Sequence, residues 1–245
     1  MAKVVSTGIA ALDKALMNGL PRGFTVLVTG PPGAGTELVA KQFAAAGVKD
    51  ENVVYFTTTE RDKDVTSTME DFGWKADLQI VNIGKLYYES VLARRLEVSR
   101  YREEGITLKD LRATPTDRAP MRNVNFLTTL TYEFSKLKPP FRAVVDSLDF
   151  FFEYYPHADV LSALRTIKAH TQHEEGVSLL TMLSGVYDTR TQSGVEEIVD
   201  GIVELERVRQ ENEFRRYLVL RKVRNHPEKT GLYEYTITDQ GITAR

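Results

Sequence analysis

Apolar and polar positions along most of the chain repeat in an order of strand followed by helix. Residues 24–29 form a short apolar, β-branched run, a glycine-rich turn follows, and residues 37–48 return to helical spacing. The same alternation predicts further strands at residues 53–57, 78–83, 142–146 and 177–181, and further helices at 62–72, 123–137 and 157–173. Strands that alternate with helices favour a mainly parallel sheet covered on both faces, which is an α/β fold.

The pattern changes after residue 200. Residues 201–208 and 215–223 are two apolar runs separated by a polar turn, and residues 233–236 add a further strand signal. This arrangement predicts a C-terminal antiparallel β-hairpin attached to the parallel sheet. We expect a single domain over residues 1–245, because no linker or internal repeat is present, with an insertion at about 84–122, where the sequence is charged and irregular.

Composition removes several classes of protein. The 245 residues include no cysteine, which excludes a disulfide scaffold, a zinc finger and a cysteine nucleophile. No apolar run approaches the roughly 20 residues that span a bilayer, and the first residues lack a basic-then-apolar signal pattern. We therefore expect a cytoplasmic protein with no membrane partner.

The formal net charge of −2 is unevenly distributed. Residues 207–229 carry eight lysines and arginines against three acids, so the rest of the chain is acidic. Such a basic segment suits nucleic acid, phosphate or self-association equally, and charge alone does not choose among the three.

The turn after the first apolar strand matches the first six positions of the phosphate-binding loop G-x-x-x-x-G-K-[ST], through Gly30, Pro31, Pro32, Gly33, Ala34 and Gly35. Thr36 then stands where a lysine reaches the phosphates, and Glu37 stands where a hydroxyl binds magnesium. Since phosphoryl transfer depends on electrostatic stabilisation, we expect low nucleotide affinity and still lower catalysis. The structural alternative is a glycine turn that only packs a strand on a helix.

Lys41 is the next lysine along the same predicted helix. It has two interpretations: it supplies the missing positive charge, or it forms an ion pair with Glu37 at the i,i+4 spacing of a helix.

Five blocks carry a resemblance to a known family: residues 6–9 (STGI), 19–23 (GLPRG), 142–148 (RAVVDSL), 194–201 (GVEEIVDG) and 237–242 (ITDQGI). With the glycine loop, they resemble the KaiC-like and RadA-paralogue branch of the RecA superfamily over nearly the whole chain. The resemblance implies a RecA-like P-loop NTPase fold, ATP or ADP with magnesium as cofactor, and assembly with identical or related subunits.

The same resemblance assigns roles to particular residues. Asp146 corresponds to the magnesium-directed Walker B aspartate, and Glu60 is what remains of two adjacent glutamates that activate water, since Thr59 replaces the first. Lys222 and Arg224 correspond to a Lys-x-Arg element that reaches the nucleotide of a neighbouring subunit. At strand spacing the two basic side chains point to one side, although a solvated strand face would give the same pattern.

These substitutions predict a KaiC/RadA-like pseudo-ATPase that acts by self-association or by binding related ATPases in signalling or DNA repair, with negligible ATP hydrolysis. A weakly active ATP-binding ATPase, with Glu60 as base, is the first alternative. The second is a nucleic-acid-binding module that uses the basic hairpin and residues 84–122, whose binding would be weak and sensitive to salt.

Overall fold

A computed structural model of the chain contains a large sheet with helices on both faces. It describes residues 4–16, 18–93, 124–210, 213–226 and 230–245, together with positions 95, 96, 99 and 103. The strands are β1 Val4–Val5, β2 Leu20–Pro21, β3 Thr25–Gly30, β4 Asn52–Thr57, β5 Gln79–Asn82, β6 Phe141–Asp146, β7 Val177–Leu183, β8 Gly201–Gln210, β9 Glu213–Val223, β10 Gly231–Thr238 and β11 Gly241–Ala244. The helices are α1 Ala10–Ala15, α2 Thr36–Gly47, α3 Asp62–Asp71, α4 Ile83–Tyr87, which continues into a π-helical turn Tyr88–Leu92, α5 Phe126–Ser135, α6 Asp149–Tyr154, α7 His157–His173 and α8 Thr189–Ile198.

The large sheet has nine strands in the order β11-β10-β9-β8-β3-β7-β6-β4-β5. All neighbouring pairs from β8 to β5 are parallel, whereas β8, β9, β10 and β11 pair antiparallel. β1 and β2 form a separate two-stranded antiparallel sheet. The predicted α/β fold, with its mainly parallel sheet and C-terminal antiparallel hairpin, is confirmed.

Two apolar layers hold the helices against the sheet. On one face α1, α2 and α3 pack on side chains such as Val26 and Val28, and on the other α5 to α8 pack on side chains such as Leu27. Successive residues of β3 thus serve opposite layers, as the period of two in a strand requires. The strand is completely buried because both of its faces are covered, which explains its continuous apolar sequence.

The predicted elements agree with the observed ones to within about three residues at their ends. Helix α7 has the predicted bounds, and β3, the glycine turn and α2 follow in the predicted order. The periodicity did not predict β1, β2, α1, α6, α8 or β11, most of which are short. The predicted insertion begins at α4 and the π-helical turn, and most of its remaining length lies outside the described residues.

Within the described part of the chain, no helix combines the length and the apolar character needed to cross a membrane.

Candidate functional site

The carboxyl ends of the parallel strands bring the predicted site residues to one edge of the sheet. β3 ends at Gly30, β4 at Thr57 and β6 at Asp146, and Thr57 lies directly opposite Asp146 in the register. In open α/β sheets, ligands bind outside this edge. We call this end of the sheet the carboxyl edge.

The glycine loop connects β3 to α2 at this edge. Gly33 and Gly35 have positive φ angles of 77° and 92°, so the backbone there follows a path that residues with a side chain rarely adopt. Helix α2 begins at Thr36, directly after Gly35. The Thr36 hydroxyl donates to Glu37 Oε2 at 3.4 Å, and the Glu37 carboxylate is exposed at the mouth of the loop. Phosphate binding by residues 30–37 stays a prediction.

The predicted ion pair between Lys41 and Glu37 is wrong, because Lys41 pairs with Glu60 instead. Supply of positive charge to a phosphate by Lys41 stays a prediction. Its ammonium contacts Glu60 Oε2 at 2.7 Å, with the lysine side chain fully buried and that of Glu60 29% exposed. The lysine lies on the buried face of α2, and the backbone of Glu60 is held by Thr57 Oγ1 and by the side chain of Asn82. Glu60, the candidate base, and Lys41, the lysine that follows the loop, therefore form an ion pair with each other.

Asp146 is buried at the end of β6 and accepts a hydroxyl hydrogen bond on each carboxylate oxygen. Tyr55 donates to Oδ2 at 2.7 Å, and Thr181 donates to Oδ1 at 2.6 Å. Burial, followed by the negative charge of Asp146, raises the pKa of Tyr55 well above its usual value, with Glu60 and Glu37 acting in the same direction. Tyr55 therefore remains a hydroxyl donor at neutral pH, and it sits among three carboxylates.

The side chains at the carboxyl edge do not fit a magnesium-bound nucleotide. Such a site needs a lysine and a metal-binding hydroxyl at the start of α2, where Thr36 and Glu37 stand. The oxygens of Asp146 are already engaged by two hydroxyl groups. Among the described residues, no group of three or more histidine and acidic side chains is close enough to hold a metal ion.

Lys222 and Arg224 lie at the opposite end of the sheet, beside the beginning of β8. Lys222 Nζ donates to the backbone oxygens of Glu196 and Val199 at 2.6 and 2.8 Å, and burial lowers its pKa. Arg224 Nε contacts the buried carboxylate of Asp200 at 2.7 Å. Both side chains point to one side, towards the end of α8, where they bond within the same chain. Their contact with a neighbouring subunit stays a prediction.

A cleft of about 590 Å³ opens beside Glu60 and lies between the ends of β4, β5 and β6. Its walls combine the polar groups of Asn82 and Asp149 with the rings of Tyr87 and Tyr154. The two tyrosine hydroxyls are hydrogen-bonded to each other at 3.2 Å. This cleft is on the side of the carboxyl edge away from the glycine loop.

The sequence did not identify Tyr55 or Thr181 as site residues. Both lie inside apolar strands, where a hydroxyl residue is ordinary, and their importance follows from the sheet order, which places β4 and β7 on either side of β6. The available signal was that Thr181 is the last residue of the strand predicted at residues 177–181. Its pairing with Asp146 required the three-dimensional register.

Comparison with known proteins agrees with this architecture. The family model described as the KaiC ATPase matches residues 5–244. A circadian clock oscillator protein KaiC from Picosynechococcus is 28% identical over 97% of this chain, and a UPF0273 protein from Thermotoga maritima is 28% identical over 99% of it. The chain covers 96% of the Thermotoga protein but only 43% of the KaiC protein.

A solved KaiC-like protein from Pyrococcus horikoshii has the same fold. It superposes with a TM-score of 0.67 at 23% identity, and the match covers 100% of each chain. The nine-stranded sheet and the strand–loop–helix unit define a RecA-like P-loop domain. The chain belongs to the KaiC ATPase family.

Proposed function

We propose that this chain is a KaiC-like subunit that does not turn over ATP and acts by association with itself or with related ATPases. The observation that carries the proposal is the ion pair between Lys41 and Glu60, in which the lysine is fully buried. The setting, signalling or DNA repair, comes from the family resemblance.

Phosphoryl transfer needs positive charge against the transferring group and a base or orienting group for the attacking water. Thr36 carries no charge at the loop, and Lys41 would have to leave Glu60 before it could contact a phosphate. That movement would also separate a buried ammonium from its counter-ion, which costs several kcal/mol in protein interiors. The ion pair thus keeps Lys41 from a phosphate and Glu60 from the attacking water at the same time.

The surroundings of Asp146 support the same proposal. A magnesium-directed aspartate must offer an oxygen to the metal or to its water, and here each oxygen already accepts a hydroxyl hydrogen bond, from Tyr55 or Thr181, with which the metal or its water would compete. The Glu37 carboxylate adds a negative charge at the mouth of the loop, where it repels a polyphosphate. The substitutions in the loop and the hydrogen bonds to Asp146 therefore act in the same direction.

Phosphate release from magnesium ATP tests the absence of turnover. We expect the purified chain to match a blank without protein, and an Asp146→Asn variant to give the same result. Turnover near the low end of typical enzymes, roughly 1 per second, that is abolished by Asp146→Asn would overturn the proposal. In that case the weakly active ATPase would be the better description.

Association is tested by light scattering on the wild type and on a variant with Lys222→Ala and Arg224→Ala. Lys222 and Arg224 lie together beside the start of β8, at the end of the sheet opposite to their own loop, and the family resemblance is what supports a contact in trans. We expect the wild type to associate and the double variant to dissociate, with Lys136→Ala, which changes an exposed lysine directly after α5, as control. A thermal melt must show that the double variant is folded. A wild type that stays monomeric at high concentration and recovers no related subunit would contradict the proposal.

A further inference from the structure

The cleft beside Glu60 has a wall of aromatic rings. The rings of Tyr87, Phe150 and Tyr154 pack against one another, with ring centres 5.4, 4.9 and 4.8 Å apart. Tyr154 is nevertheless 43% exposed, and Tyr88, which also lines the cleft, is 52% exposed. The described part of the chain thus leaves aromatic surface uncovered at a cleft of about 590 Å³, a volume that suits a small organic ligand.

Two carboxylates of the same cleft carry negative charge that no described lysine, arginine or histidine neutralises at ion-pair distance. They belong to Asp149 and Glu153, which lie four residues apart on α6. The oxygens of Asp149 accept the hydroxyl of Tyr187 at 2.7 Å and the backbone N–H of Leu183 at 3.2 Å, and neither donor is a cation. Like charges at this helical spacing repel each other, and a cation beside them would offset the repulsion.

Most other charged groups of the cleft already belong to ion pairs. Glu60 pairs with Lys41 at 2.7 Å, and Arg61 pairs with Asp64 at 2.6 Å. Among the described residues that line the cleft, this leaves Lys85 as one cation against the two carboxylates of α6. The balance of charge in the cleft is therefore negative.

The acidic groups and the aromatic wall meet on α6. Glu153 directly precedes Tyr154, and after the hydrogen bond with Tyr87 the charge of Glu153 also helps to raise the pKa of Tyr154, to about 12. A cation over the face of a tyrosine ring is attracted by the electrons of the ring, and a nearby carboxylate adds to that attraction. Both features of the cleft therefore favour the same kind of ligand.

We propose that this cleft binds a small organic cation, an ammonium group on an apolar body. The two carboxylates of α6 supply the counter-charge, and the aromatic wall receives the apolar body and one side of the ammonium group. The inference goes beyond association between subunits, because the cleft lies on the side of the carboxyl edge away from the glycine loop and needs neither nucleotide nor turnover.

Calorimetric titration of the full chain with three ligands that share a phenyl ring tests the charge preference. Phenethylamine carries an ammonium group at neutral pH, phenethyl alcohol is neutral, and phenylacetate is anionic. We expect the wild type to bind the amine about tenfold more tightly than the alcohol and not to bind phenylacetate. Absence of amine binding at millimolar concentration, equal affinity for the amine and the alcohol, or a preference for phenylacetate would overturn the inference.

Glu153→Gln tests the counter-charge with little change in shape. We expect it to lower the affinity for phenethylamine about fivefold and to leave the affinity for phenethyl alcohol unchanged. Glu70→Gln is the matched control, because it removes the same charge from an exposed position on α3 that does not line the cleft. The control should change the affinity by less than twofold, and equal effects of the two substitutions would contradict a site at α6.

Tyr154→Leu removes a ring of the wall, whereas Tyr154→Phe keeps the ring and loses only the hydroxyl bonded to Tyr87. We expect the leucine variant to bind phenethylamine about fivefold more weakly and the phenylalanine variant to bind it as the wild type does. Thermal melts of both variants should match that of the wild type. Equal affinities in two folded variants would show that the ring is not used, and the proposal would fail.

A lysine analogue separates a free small ligand from the side chain of a partner protein. Acetyl-lysine methylamide carries the same ammonium group on a peptide backbone and has no ring to pack on the aromatic wall. We expect it to bind more weakly than phenethylamine. Tighter binding of the lysine analogue would overturn the proposal and would assign the cleft to a lysine of another protein.

Discussion

The two ends of the parallel strands both hold buried charge, but they differ in how many partners each charged group has. At the amino ends, Arg142 Nε donates to Glu51 at 2.6 Å, its NH1 group donates to two backbone oxygens, and Glu51 also contacts Arg22 at 2.5 Å. At the carboxyl edge, the buried ammonium of Lys41 has a single contact, with a partly exposed Glu60. The charges at the amino ends form a network in which Arg142 and Glu51 each have several partners, whereas Lys41 at the carboxyl edge belongs to a single pair.

A second cluster at the amino ends also gives one charged group several partners. Asp200 is 1% exposed and contacts Lys168 and Arg224, while its second oxygen accepts the backbone N–H of Thr25. In contrast, Arg207 and Arg216 at the carboxyl edge are register partners with no carboxylate partner among the described residues. Charges without a counter-charge are more typical of places where proteins bind ligands or partners than of structural networks. On this ground we propose the carboxyl edge as the functional end of the sheet.

Removal of Arg142 should give the largest effect on stability. Arg142→Met leaves Glu51 buried with a single cation, and breaking a buried pair costs about 3–5 kcal/mol. Chemical denaturation followed by circular dichroism measures the loss. Arg61→Ala is the matched control: the Arg61–Asp64 pair is solvent-exposed, and such pairs contribute little to stability. Equal effects of the two substitutions would show that the amino-end network is not the stabilising one.

Glu60→Ala and Lys41→Met should differ, because only one of them leaves a fully buried charge behind. Loss of Glu60 strands the buried ammonium and should cost about 3 kcal/mol. Loss of Lys41 replaces a buried charge with an apolar chain and leaves a glutamate that solvent can reach, so the cost should stay below about 1 kcal/mol. The same denaturation experiment measures both. A larger loss of stability in Lys41→Met would mean that the attraction between the two charges outweighs the cost of burying the ammonium.

Restoring the consensus at the loop tests whether its backbone still accepts nucleotide. Thr36→Lys combined with Glu37→Thr should raise affinity for magnesium ATP by about 10- to 100-fold, since a hydrogen bond to a charged group contributes roughly 1.5–3 kcal/mol. Thr36→Lys alone, which keeps the Glu37 carboxylate, is the control and should give a smaller gain. Calorimetry measures the affinity, and no gain in either variant would indicate that the loop is closed to phosphate.

The sequence predicted the parts of the fold that rest on long periodic segments. Helix α7 and the β3–loop–α2 unit were found because their apolar spacing extends over many residues. Helix α8 was missed because it contains Gly194, a poor helix former. A Cβ at that glycine would lie 2.9 Å from a methyl group of Leu161, so close packing on α7 explains the residue, and that packing is not visible in one sequence.

The family could be predicted from the sequence, whereas the state of the site could not. Gln42 on α2 donates to the backbone oxygens of Gly8 and Ile242 and accepts the N–H of Ile242, at 2.7, 3.2 and 2.8 Å. Residues 6–9 and 237–242, two of the blocks that carried the resemblance, therefore both bond to helix α2 and have a structural role. The partner of Lys41 lies instead on the loop after β4, and helical spacing had pointed to Glu37. Local spacing cannot reveal a contact that the tertiary fold creates.

Tyr235→Phe should give the smallest effect, at the point where the C-terminal strands hold the loop. The variant loses the hydrogen bond to the Ala34 oxygen and should be less stable by about 1 kcal/mol at neutral pH. Burial raises the pKa of Tyr235 to about 12, above its ordinary value of 10, so folding favours the protonated hydroxyl. Its contribution is complete below about pH 10 and is lost as the pH rises towards 12.

The wild type should therefore lose more stability than Tyr235→Phe between about pH 10 and about pH 12, and the difference between the two should close. Urea denaturation midpoints at neutral and alkaline pH measure this change. Tyr132→Phe is the control, because Tyr132 is 60% exposed on α5 and removing its hydroxyl should leave the alkaline loss as in the wild type. Equal losses of stability at alkaline pH in the wild type and Tyr235→Phe would mean that this hydroxyl does not stabilise the loop. Packing against α2 would then be the better explanation for the position of the loop.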